Sequence, residues 1–104
     1  MIDASYSLQL AEALTGSALA TYLVKHGWSE RPSRIKGVSI LSKRLSGLDE
    51  PIEVVLPVVQ GFVDEQRRVA DALRTAEATE GRSMKSIVDD VHRQQIAQDA
   101  GSEV

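Results

Sequence analysis

Apolar positions recur along this chain with two different periods, and the places where the period changes mark its elements. Beginning near Ser5, Leu8, Ala11 and Leu14 fall three residues apart, the spacing of one helical face. Thr15-Gly16-Ser17 interrupts that face, and the glycine is expected to kink or break the helix. Ser17 then reads as the N-cap of a second piece, whose Leu19, Tyr22, Leu23 and His26 share one side. Gly27 stands where helices commonly end, and Lys25 and His26 suit the negative end of the helix dipole. Trp28, the single tryptophan, is read as a core plug folded back over the last turn, with an exposed binding aromatic as the alternative.

Residues 29–37 contain Pro32, two serines and several basic side chains, the composition of a loop. Residues 38–45, with Val38, Ile40 and Leu41 at their centre, and residues 52–56 read as strands. The intervening residues 46–51 are rich in turn formers, so the two strands are expected to pair as an antiparallel hairpin. Pro51 and Pro57 bracket the second strand, where a missing amide is tolerated. Over residues 58–79 the period turns helical, with Phe62, Val69, Leu73 and Ala76 on one side of a long amphipathic helix, and Gly61 weakens its beginning so that the regular part is expected to start nearer Phe62. Glu80-Gly81 ends it, and Ser83 is the expected N-cap of a shorter last helix carrying Met84, Ile87, Val88 and Val91 as its buried stripe. Residues 94–104 are expected to form a frayed, flexible tail. The predicted fold is α+β, one small domain over residues 1–93.

The run of strand, Leu56-Pro57, helix, Glu80-Gly81-Arg82-Ser83 and a helix with an Ile87-Val88 pair resembles the ribbon-helix-helix family of dimeric bacterial DNA-binding proteins, many of which are antitoxins. The resemblance spans residues 52–91. It implies a dimer whose paired strands point alternate side chains at base edges. Two features depart from that pattern. Residues 58–80 put 23 positions between Pro57 and Gly81, roughly two helical turns more than the short helix of that family. The strand itself would present either Glu53 and Val55 or Ile52, Val54 and Leu56, an acid or an apolar face where base readout needs polar or basic groups. A second topology also fits the order of elements, a helix, hairpin and helices as in small α+β modules that include some RNA-binding folds.

Composition narrows the chemistry. Aromatic residues make up only 4% of the 104, so the core must come from Leu, Ile, Val and Ala. Cysteine is absent, which removes disulfides, thiolate nucleophiles and Cys-based zinc sites and suits a reducing cytoplasm. Neither a signal peptide nor a membrane span is expected. The net charge of −3 conceals an uneven division, since residues 1–48 hold six Lys/Arg against three acids and the remainder six against twelve. Lys25, Arg31, Arg34, Lys36, Lys43 and Arg44 form the one basic segment, a candidate contact for an anionic partner, a device that keeps a sheet edge soluble, or a counterpart to the acidic second half within the chain or across a dimer.

No catalytic, cofactor-binding or metal site is expected. The two histidines, His26 and His92, lie in no acid, base or nucleophile constellation, and the glycines are scattered singly rather than gathered in a phosphate loop. Asp89 and His92 share a helical face, a pattern commoner on solvated faces than in metal sites. The function expected is that of a non-catalytic interaction or regulatory module that binds another protein or itself, with a nucleic-acid-binding regulator or antitoxin as the alternative. Ile52, Val54 and Leu56 are the candidate interaction strand. Apolar residues on both alternations of that strand lead us to expect a homodimer or a protein partner.

Overall fold

The computed structural model describes residues 4–12, 14–59 and 61–102. Along the chain they form α1 (Ala4–Ala11), α2 (Gly16–Lys25), β1 (Ser29–Pro32), β2 (Val38–Lys43), β3 (Ile52–Pro57), α3 (Glu65–Glu80) and α4 (Met84–Ser102). The architecture is α+β, with the helices packed on one face of an antiparallel sheet of order β1-β2-β3.

The β2–β3 hairpin forms as the alternation predicts, with Leu41 opposite Val54 and Ser39 opposite Leu56. Those residues, with Ile52, face the helices, and Leu41 and Leu56 are fully buried. The sheet is three-stranded rather than two-stranded, because Ser29–Pro32, read from composition as loop, pairs with β2 from Ser29 opposite Ser42 to Pro32 opposite Ser39. All four of its side chains are exposed. A strand held by its backbone ladder alone carries no hydrophobic alternation to announce it.

The N-terminal helical stretch is two helices, as the interruption at Thr15-Gly16-Ser17 suggests, but the cap stands two residues earlier than expected. Thr15, not Ser17, caps α2, its Oγ1 accepting from the Ala18 amide at 3.1 Å. Gly16 is the first residue of α2 and is needed for space: a Cβ there would stand 1.8 Å from the carbonyl oxygen of Pro57, at the end of β3. At the other end of α2, the Trp28 amide donates to Leu23 O and the Gly27 amide to Val24 O, with Gly27 at φ 95°. This is a Schellman closure, and it turns Trp28 inward to 3% exposure.

α3 begins at Glu65, seven residues after the helical period sets in and three after Phe62, where its regular part is expected. The Val58 amide instead donates to Gly37 O at 2.8 Å, prolonging the sheet ladder, and the segment folds so that Val59 and Phe62 lie over Gly37. α3 therefore has 16 residues and ends at Gly81 in the left-handed conformation, φ 68°. Val69, Leu73 and Ala76 are buried on the predicted side. α4 is longer than α3 rather than shorter, and its 19 residues carry the helical backbone to Ser102 where a frayed tail was expected. Among the side chains described, its buried stripe ends at Val91, and beyond it Arg93, Gln94 and Gln95 are good helix formers that extend a helix without needing a core.

Candidate interaction surface

The six cations of the basic segment do not make one patch. Arg31 reaches across the outer face of the sheet to Glu53, 2.9 Å away. Lys43 donates to Glu80 Oε2 at 3.1 Å and to the carbonyl of His26 at 3.3 Å. Arg34 and Lys36 stand exposed in the β1–β2 turn, whereas at the opposite end of the hairpin Lys25, the last residue of α2, and Arg44, just past β2, stand exposed. Six residues of strand, about 20 Å, separate the turn from the far end. Among the described residues these four have no ion-pair partner.

The Glu80-Gly81-Arg82-Ser83 junction carries more than punctuation. Ser83 caps α4 as predicted, its Oγ accepting from the Ser86 amide at 3.1 Å, and Glu77 Oε2 accepts from the Met84 amide at the same distance. The two charged residues flanking Gly81 turn back toward distant elements. Glu80 accepts from Trp28 Nε1 at 3.3 Å and from Lys43. Burial acts to raise its carboxyl pKa, but the hydrogen bonds from Lys43 and Trp28 outweigh it and hold the group below the ordinary glutamate range. Arg82 Nη1 donates to Tyr22 Oη at 2.8 Å, and its other terminal nitrogen is bonded to Asp90, which Arg93 also contacts. The bond from Arg82 lowers the Asp90 pKa. Burial raises that of Tyr22, which is 1% exposed, against the opposing pull of the Arg82 cation. His26 stacks on the Tyr22 ring at a centroid distance of 4.0 Å and sets Nδ1 2.9 Å from Tyr22 O.

Among the described residues no buried side-chain nitrogen or oxygen lacks a partner. The arrangement is thus a satisfied clamp, with Glu80 opposed by Lys43 and Arg82 by Asp90, which ties the α3–α4 junction to α2 and β2. Sequence reasoning missed it. The available signal was that Tyr22 and Trp28 sit at core positions and carry polar tips, which require partners once buried.

The predicted interaction strand has a different arrangement. Val54 and Leu56 are buried against the helices and Ile52 is half-buried, so these three side chains meet the protein's own core. What β3 leaves open is its backbone. Val58 N–H bonding to Gly37 sets the phase of the β2–β3 ladder, so Ile52, Val54 and Leu56 direct their amides and carbonyls at β2. Glu53 and Val55 direct theirs away from the sheet. Beside this free edge runs a groove of about 220 Å³, with Glu53, Val54 and Val55 on one wall and Arg68, Asp71, Ala72 and Thr75 of α3 on the other. A larger hollow, about 440 Å³, lies near Glu65, whose Oε2 already accepts from the Gly16 amide at 3.0 Å.

Among the described residues no helix is long and apolar enough to cross a membrane. Comparison with protein-family models, curated proteins and solved structures found no match to this chain.

Proposed function

We propose that this protein is a non-catalytic interaction module that recruits a β-strand from another chain along β3. One observation carries the reading: the edge backbone of Glu53 and Val55 is unpaired within the sheet and opens on a groove walled by α3. An open edge of this kind offers main-chain donors and acceptors for strand addition, and the adjoining groove offers room for alternate side chains. The other edge is less suited. β1 is four residues long, ends in Pro32 and carries Glu30 and Arg31, the features that blunt an edge.

Amide hydrogen exchange tests the reading residue by residue. In the complex the protein forms, the Glu53 and Val55 amides should exchange as slowly as those of Val54 and Leu56. In the uncomplexed chain they should exchange far faster than those two neighbours. Fast exchange at both positions in every complex isolated would defeat strand recruitment. Contact with nucleic acid through Arg34 and Lys36 is the weaker reading, because the cations are split between two ends of the hairpin and the chain is net negative.

A further inference from the structure

We infer that the strand recruited is β3 of a second copy of this chain, running antiparallel about a two-fold axis at Val54. The inference rests on the strand-recruiting reading and names its partner. Its first support is the placement of the prolines, since Pro51 and Pro57 each stand three residues from Val54. Between them only Glu53 and Val55 aim backbone groups outward. Pairing about Val54 sets Glu53 of each copy opposite Val55 of the other, and every one of those amides and carbonyls then finds a partner. Pro51 falls opposite Pro57, where neither strand has a donor to leave unsatisfied. A strand without this symmetry would carry outward amides beyond the open pair, toward a Pro57 carbonyl that lies against Gly16.

The second support is charge. Glu53 is already opposed by Arg31, so the groove's remaining charges are Arg68 and Asp71, one of each sign on the same helical wall. Their present partners, Asp64 and Arg74, are exposed neighbours on the same chain, and such pairs are weak. A two-fold axis reverses α3 and turns Arg68 of one copy toward Asp71 of the other, an isologous arrangement. A strongly acidic or strongly basic strand would meet like charge at one of the two. Val55, 38% exposed on the outer face, would be covered by the stem of the partner's Glu53.

The chain has no cysteine, so cross-links can be introduced cleanly. Glu53→Cys and Val55→Cys proteins are made separately, and disulfide formation is compared in each alone and in their mixture under mild oxidation. Opposed residues of a hydrogen-bonded antiparallel pair lie about 5.5 Å apart at Cα, within disulfide reach. The mixture should cross-link several-fold faster than either protein alone, and light scattering should find the unmodified chain dimeric at micromolar concentration. Val55→Pro removes one edge amide and should return a folded monomer, judged by circular dichroism; if that variant does not fold, the cysteine pair decides. A monomeric chain with no faster mixed cross-link overturns the inference. If the Glu53 and Val55 amides are nonetheless protected by a different protein, strand recruitment stands and the second copy alone is rejected. If a dimer persists in folded Val55→Pro with no preference for the mixed disulfide, the copies meet elsewhere and the inference is overturned; fast exchange of the Glu53 and Val55 amides in that dimer and in every other complex would overturn strand recruitment as well.

Discussion

At the scale of single residues, Gly16 shows how far a local rule reaches. Its position between two helical stretches marks it as a breaker, yet its necessity comes from Pro57, 41 positions later, whose carbonyl occupies the volume a side chain would need. Gly16→Ala should destabilise the protein by about 1–3 kcal/mol, the usual cost of forcing a methyl into filled space. Thermal or urea unfolding measures it, and an unchanged midpoint would show that the α2–β3 approach relaxes freely. Thr15 and Ser17 teach a related lesson. Both are good capping residues, two positions apart, and only the backbone geometry that starts α2 at Gly16 selects Thr15. Sequence therefore located the joint and could not choose the cap.

At the scale of elements, the α3–α4 junction links charge state to stability. Glu80 and Asp90 both release their protons more readily in the folded protein than their ordinary values of 4.5 and 3.8 would allow. Their contribution is complete above those values and is lost as pH falls through the lower folded ones. Tyr22 acts in the opposite sense, with a folded value above 10.0, so its contribution is complete below that pH and is lost on raising the pH through the folded value. Melting temperature should therefore hold near neutrality and fall at both extremes, and Glu80→Gln should flatten the acid limb while lowering the neutral value. An acid limb of equal slope in that variant would show that Glu80 is not one of the groups responsible. Much of this element was legible beforehand: Gly81 as the stop, Ser83 as the cap, and the stripe of Met84, Ile87, Val88 and Val91. The start of α3 and the end of α4 were not. Residues 58–64 have a helical period, but the free Gly37 carbonyl claims the Val58 amide, and a ladder bond to a distant strand leaves no trace in local spacing.

At the scale of the whole molecule, the α+β class and the buried side of each helix followed from periodicity, whereas β1 and the candidate site did not. The basic segment looked continuous because its members are neighbours in sequence. A hairpin then carried Arg34 and Lys36 to one end and Lys25 and Arg44 to the other, and two further cations were taken up by Glu53 and Glu80. The apolar side chains of the candidate strand fill the protein's own core, so what β3 offers outward is its backbone edge.

The clamp around Gly81 also bears on the order in which the chain folds. α3 and α4 adjoin in sequence and can form together early, but Arg82 must wait for Tyr22, 60 residues away, and Glu80 for Trp28, 52 away. Contacts between such distant positions close late, so they belong to the native state more than to the barrier that precedes it. Arg82→Met should accordingly leave the refolding rate nearly unchanged and accelerate unfolding several-fold, which chevron kinetics would register as a shift of the unfolding limb alone. Equal slowing of refolding would mean that α2 docks on the junction before the rest is in place. On this view the Glu80–Arg82 turn acts as a latch on lifetime, setting how long the folded protein survives once made and leaving the speed of its making to the helices on either side.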